Sequence, residues 1–261
     1  MRVGVCYDLR REYIAAGFTE EETAEFDRES TIAGIEEGLT SLGHTVERIG
    51  NGCYLTEHLA AGRRWDLVFN IAEGLHGTAR EAQVPAILDL YQQPYTFSDP
   101  LVLGITLHKG IANRLLSSMG VHVPAFALLS NPGEAVSLAL KFPLFAKPEA
   151  EGSGKGITPA SVISSRAELD ARVRELSLSF GAPVLVEEYL PGREFTVGIL
   201  GTGMDARVIG VMEIELRQDA EAGAYSYRNK EECESLVRYT AASDELAQES
   251  AELALRAWRL L

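Results

Sequence analysis

The chain has 261 residues, 46% of them hydrophobic, with 24 basic against 38 acidic residues and a formal net charge of -14. That length holds one large domain or about two to three small ones, and so acidic a surface argues against nucleic acid or an anionic membrane as partner, since either demands a basic face. Apolar runs fall short of a membrane span, the N-terminal MRVGVCYDLRREY reads as a strand rather than a signal peptide, and Cys6, Cys53 and Cys233 lie far apart with no CxxC pair, which fits reduced thiols in a cytoplasmic protein.

Residues 2–7, RVGVCY, read as a first buried strand. After an acidic, glycine-containing connection, Phe26, Ile32, Ala33, Ile35, Leu39 and Leu42 recur at helical spacing. They predict a helix over residues 23–42, with Thr19 and Glu22 as a capping box and Gly43 as its stop. Residues 44–49 and 66–69 add two strands, and the alternation predicts a doubly wound parallel sheet. At its C-terminal edge, where such sheets bind ligands, residues 70–81 (NIAEGLHGTARE) offer His76 and Glu81 as substrate contacts. A capped loop leading into a helix with Ala86, Ile87 and Leu90 explains the same segment without a ligand, with Pro85 in that helix's first turn. PYTFS at 94–98 closes a first domain.

A helix over residues 106–119 opens the second domain and carries Lys109, although a lone lysine on a helix is ordinarily solvated surface. It ends at Gly120 before the extended VHVPAFALL. Asn131 to Glu134 opens a short helix, residues 157–163 form the hairpin partner of the strand before them, and Ser165 with Glu168 caps a helix to about Leu178.

Between these lies FPLFAKPEAEGSGKG, residues 142–156. Its first five residues read as a short buried strand, and Lys147 sits on the last pleat before Pro148, a costly place for a lysine unless an anion meets it. Gly152, Gly154 and Gly156 let the following loop turn its N–H groups toward one point, with Ser153 and Lys155 as further donors, which suggests a polyphosphate. The spacing matches neither a Walker A loop nor G-x-G-x-x-G, and a flexible hairpin loop is the alternative. Lysine occurs five times against nineteen arginines, and two of the five stand on this strand end and in this loop, where a compact point charge suits a phosphate oxygen.

The apolar strand PVLVEEYL, residues 183–190, runs into Glu187, Glu188, Tyr189 and Leu190, and Glu194 opens the next strand, EFTVGIL. Main-chain groups there could read a purine while Glu194 takes ribose hydroxyls; paired carboxylates for metal or acid–base work, or a strand terminus with no ligand, remain alternatives. A strand over 205–216, the polar loop YSYRNKEE with Lys230, and an amphipathic helix over 243–261 follow. An end on Trp258 to Leu261 without a glycine cap suggests that the molecule continues.

These pieces, in this order, resemble the ATP-grasp superfamily and within it the D-alanine:D-alanine ligase group. The likeness is carried by FNIAEGLHGTARE with PYTFSDP, HKGIANRLLSSMGVHVP, FPLFAKPEAEGSGKG, VLVEEYLPGREFTVGILG and the YSYRNK loop. The resemblance implies an α/β fold, with an N-terminal doubly wound parallel-sheet domain (1–98) followed by an α+β ATP-grasp pair (99–184 and 185–261). It implies that Lys109 and Lys147 contact the α and β phosphates, and that Glu151, Gly152, Ser153, Gly154, Lys155 and Gly156 form a flap over the triphosphate. Glu187 and the backbone of Glu188, Tyr189 and Leu190 would hold adenine, Glu194 the ribose, and Lys230 the γ phosphate. His76, Glu81 and Glu25 match the side that receives the first amino acid, and Ser153 and Lys230 join them at the reacting centre.

The implied chemistry activates a carboxylate with ATP and magnesium as an acyl phosphate that an amine then attacks, within peptidoglycan biosynthesis, with small amino acids as substrates and a homodimer left open. VCYDLRREYIAAGF replaces the group's usual glycine-rich opening, and Phe97, His108 and Glu231 stand where it tends to have Gly, Asp and an aromatic; each bears on substrate or flap closure. The Arg-x-Asp and Glu-x-Asn that supply magnesium ligands are expected beyond residue 261, so no metal ligand is assigned within the chain and turnover by it alone is not expected. A non-catalytic nucleotide-binding module is the competing class, and a small-ligand binding protein without nucleotide a third.

Overall fold

The computed structural model describes residues 1–131, 134 and 140–261. They divide into two units, Met1–Leu107 and His108–Leu261. The short helix expected to open at Asn131 falls largely outside the described residues.

In the first unit β1 (Arg2–Cys6) lies between β2 (Thr45–Gly50) and β3 (Leu67–Asn70), and both pairings are parallel, with Val3 opposite Val46 and Val5 opposite Phe69. Val3, Val5 and Cys6 are fully buried, as expected for the middle strand of a parallel sheet covered on both faces. Helices α2 (Glu29–Ser41), α3 (Gly52–Ala60) and α4 (Gln83–Leu90) supply the cover, while α1 (Arg10–Ala15) and α5 (Pro100–Leu107) complete the helices of the unit. Cys6, Leu55, Leu59, Val68 and Leu88 form one core cluster and Val5, Leu9 and Ile32 another. Residues 94–96 run beside β3 as an irregular edge, Val68 N–H donating to the Pro94 carbonyl and Thr96 N–H to that of Val68.

Two helix boundaries differ from the sequence expectation. The Thr19–Glu22 box forms, with Thr19 N–H donating to the Glu22 carboxylate at 2.8 Å and Glu22 N–H to Thr19 Oγ1 at 3.2 Å, but it closes a run of turns. The helix starts later because Asp27 is drawn into an extended link with the end of β1: Asp27 N–H donates to the Asp8 carbonyl and Arg10 N–H to that of Asp27, each at 3.0 Å. The helix expected over 106–119 is two helices, α5 and α6 (Lys109–Ser118), broken at His108 with ψ of 89°.

The second unit contains two antiparallel sheets. The first has the order β4 (Phe126–Leu129), β7 (Val184–Glu188), β5 (Leu144–Pro148), β6 (Val162–Ile163), and α7 (Arg166–Phe180) packs on it. Leu144, Ala146, Ile163, Leu169, Val173, Val184 and Val186 make its core. The hairpin partner of β5 is shorter than expected, limited to Val162–Ile163. The Ser165 cap is present, accepting from Glu168 N–H at 3.3 Å, and α7 ends at Gly181 with φ of 60°.

The second sheet runs β10 (Val237–Ala241), β9 (Arg207–Leu216), β8 (Glu194–Leu200), with α10 (Glu245–Leu260) against β8 and β9. Two short helices, α8 (Tyr227–Glu231) and α9 (Cys233–Leu236), precede β10. Among the described residues no helix is long and apolar enough to cross a membrane.

Candidate functional site

In the second unit the alternation of β5 buries Leu144, Ala146 and Pro148 and turns Phe145 and Lys147 to the opposite face. Lys147 Nζ donates to Glu187 Oε1 at 2.5 Å; Glu187 comes from the neighbouring strand β7, and only 9% of the residue is exposed. Phe145 stacks on Tyr189 with centroids 6.2 Å apart. Glu187, Tyr189, Leu190, Glu194, Phe195 and Tyr225 line one cleft of about 1230 Å³. The carboxylate-bearing segment singled out from sequence therefore borders this cleft, and Lys147 is tied to it through Glu187.

Lys230 joins them from α8. Its ammonium sits 4.9 Å from the Tyr225 ring centroid. Burial pushes its pKa down and Lys147 adds to that, while Glu194 opposes both. Burial pushes Glu194 up, against Lys230 and Lys147. Lys147 and Lys230 both pull on the Glu194 carboxylate, so the three groups share one neighbourhood. Asn229, fully buried, fixes the loop before Lys230 by donating to the carbonyls of Glu221 and Ala224, each at 2.9 Å, and accepting from Glu221 N–H at 3.0 Å.

The glycine loop consists of two successive tight turns, Lys155 N–H donating to the Gly152 carbonyl and Ile157 N–H to that of Gly154, both at 2.9 Å. Ser153, Gly154 and Gly156 have φ of 49°, 76° and 68°, the left-handed region that favours glycine. Lys109 Nζ ties the leading end through the Glu151 carbonyl at 2.6 Å, and Lys155 pairs with the Glu151 carboxylate at 2.5 Å. The loop rests on the start of α8, since Tyr227 N–H donates to the Ile157 carbonyl at 3.2 Å and a Cβ on Gly154 would lie 3.2 Å from Tyr227 N. Flap and Lys230 are thus coupled through backbone.

Sequence reasoning missed Arg172. On α7 it interrupts the apolar stripe of Leu169, Val173 and Leu176, only 4% exposed, and its guanidinium donates to the Gly156 carbonyl, to Ser161 Oγ at 3.1 Å and to Glu175 at 2.8 Å. A charge on the buried stripe was the readable signal. Arg172→Ala takes the charged donor from the half-buried Gly156 carbonyl and leaves Ser161 Oγ with only Thr158 N–H at 3.3 Å, so we expect a loss of about 1–3 kcal/mol in urea unfolding.

In the first unit the loop after β3 carries the acidic residues. Glu25 and Arg80 form an ion pair at 2.6 Å with side chains 5% and 10% exposed. His76 is exposed, and its carbonyl accepts from Gln83 at 2.7 Å. Glu73, absent from the sequence expectation, has its pKa pushed up to about 8 by burial, then by Glu81, Glu25 and Asp27, against the pull of Arg80. Glu25 and Glu81 therefore lie around one carboxyl, with His76 further along the same loop.

Because the folded-state pKa of Glu73 is raised, the folded chain holds a proton that the unfolded chain releases. Stability must fall as pH climbs from the ordinary carboxylate range to about 8. Glu73→Gln should flatten that slope and raise Tm at pH 8, as read by calorimetry across the interval.

A sequence profile described as D-ala D-ala ligase C-terminus matches residues 115–261. The D-alanine–D-alanine ligase of Bordetella petrii is 33% identical over 232 residues, covering 87% of this chain and 68% of the relative. This chain belongs to the D-alanine–D-alanine ligase family. Among the first curated relatives of this family member, the matched share of their length runs from 43% to 70%. Its fold is that of D-alanine–D-alanine ligase from Bacillus anthracis, at a TM-score of 0.72 and 20% identity, covering 100% of this chain and 78% of that one. VanG D-Ala:D-Ser ligase from Enterococcus faecalis gives 0.68 at 21% identity, covering 99% and 82%.

Proposed function

We propose that the chain serves an ATP-dependent carboxylate–amine ligase that joins two small amino acids through an acyl phosphate, with D-alanine as the first substrate to test. The observation that carries this reading is the meeting of Lys147, Glu194 and Lys230 beside a glycine flap backed by α8. Two ammonium groups and a row of loop N–H groups suit a triphosphate, and Glu194 suits a ribose. In this reading Lys147 and Lys109 hold the inner phosphates, Lys155 and Ser153 belong to the cover, and Lys230 meets the transferred phosphoryl group. Glu187 and the backbone of residues 188–190 hold adenine, while Glu25, His76 and Glu81 hold the first amino acid.

The reaction balances without a protein nucleophile. A substrate carboxylate oxygen bonds to the γ phosphorus of ATP and ADP leaves with the electron pair. An amine nitrogen then bonds to the acyl carbon, loses a proton, and phosphate leaves. The chain orients the partners, neutralises charge on the moving phosphoryl group and keeps water from the acyl phosphate. Magnesium bound to the phosphates supplies further charge neutralisation in such chemistry. Among the described residues no group of three or more His, Cys, Asp or Glu could hold a metal ion, so no step is assigned through it. Use of ATP argues for a cytoplasmic site of action.

The test is ADP release by the longest obtainable form of the protein, with ATP, magnesium and D-alanine, against D-serine and a panel of L-amino acids. Release that depends on D-alanine supports ligase and substrate together. Release with another amino acid alone keeps the ligase and replaces the substrate. ATP binding with no release across the panel favours a non-catalytic nucleotide-binding module.

A further inference from the structure

We infer that Asp8 is the positioning residue of the first unit's substrate loop, holding residues 70–81 in the one conformation that presents His76 and Glu81; the substrate part of this inference rests on the ligase reading above. Asp8 lies two residues past the end of β1 and is only 2% exposed. One carboxylate oxygen, Oδ2, accepts two successive backbone donors, Glu73 N–H at 3.0 Å and Gly74 N–H at 2.9 Å, from a segment 65 and 66 residues away. The other, Oδ1, accepts the Tyr13 hydroxyl.

The backbone of Asp8 is itself fixed from both sides. Its carbonyl accepts from Asp27 N–H at 3.0 Å, and the preceding Tyr7 N–H donates to the Gly50 carbonyl at 2.9 Å. A carboxylate on so constrained a stem acts as a template against which the loop folds. Gly74 closes the match, because it has φ of 70° and an added Cβ would lie 2.7 Å from the Arg80 carbonyl oxygen. The segment thus turns at Gly74 with its N–H toward Asp8 and its other side against Arg80, whose guanidinium pairs with Glu25. Three of the chain's acidic groups, Asp8, Glu25 and Glu73, are organised around this turn, and Asp8 grips its backbone through two adjacent amides.

Two substitutions separate grip from charge. Asp8→Asn can keep every hydrogen bond, its oxygen toward the two amides and its nitrogen donating to the Tyr13 oxygen, while Asp8→Ala keeps none. The experiment measures hydrogen exchange at the Glu73 and Gly74 amides, KM for the first amino acid, and Kd for ATP, in the longest obtainable form. In Asp8→Ala we expect exchange at those two amides to rise about tenfold or more, the scale of one lost hydrogen bond. KM for the amino acid should rise by about tenfold or more with Kd for ATP unchanged. Asp8→Asn should restore both.

Wild-type exchange in Asp8→Ala would overturn the inference, as would faster exchange with an unchanged KM, a parallel loss of ATP affinity, or an Asp8→Asn protein as impaired as Asp8→Ala. If the wild type releases no ADP with any amino acid, the ligase reading falls, and exchange at the two amides still decides whether Asp8 holds the loop.

Discussion

Lys147→Ala should reduce amino-acid-dependent ADP release by about a hundredfold or more, equivalent to about 2.7 kcal/mol, and weaken ATP binding in step. Two effects add. The substitution removes a compact positive charge from the end of β5, and it leaves Glu187 without the 2.5 Å partner that neutralises it, so a largely buried carboxylate then faces the incoming phosphates. ATP titration with steady-state ADP assays checks the size. The double variant Lys147→Ala/Glu187→Gln separates the causes: it should recover the melting temperature lost through the orphaned carboxylate and should not recover turnover. Recovery of turnover would mean that Lys147 serves only to neutralise Glu187.

Gly154→Val should lower kcat by about a hundredfold while changing ATP affinity much less. Gly154 is buried at φ of 76°, a conformation costly for a β-branched residue, and a Cβ there would lie 3.2 Å from Tyr227 N and 3.3 Å from its Cα, tight against backbone. A larger side chain must lift the flap from the start of α8, and with it the alignment between the loop amides and Lys230. Pre-steady-state phosphate release reads the step directly. An unchanged kcat would show that flap and α8 need not touch during turnover.

Sequence patterns exposed the parallel sheet, the antiparallel strands and the lysine of β5 because each signal is local. The run of Val3, Val5 and Cys6 sits beside turn residues, and Lys147 on a strand end before Pro148 stands out against a chain that favours arginine. The start of α2 was illegible for the opposite reason. Thr19 and Glu22 do cap a turn, but backbone bonds from Asp27 to Asp8 and from Arg10 to Asp27 hold the next residues extended, and no local pattern shows a link across nineteen positions. Glu73 was missed likewise, since its perturbation comes from Glu81, Glu25, Arg80 and Asp27 meeting in space. Arg172 could have been found, because a guanidinium on the core stripe of α7 must have buried acceptors.

Glu187 on Lys147 and Glu151 on Lys155 also set a rule about valence. Each lysine already has its own anion, so any ligand that takes one over must evict a carboxylate and gains only the difference between two similar attractions. A lone phosphate exchanges one partner for another at little profit. In the ligase reading, a chain of linked phosphates pays the entropy of arrival once and evicts both carboxylates together, so the protein's own acids would set a threshold that screens nucleotides by the number of charges they bring.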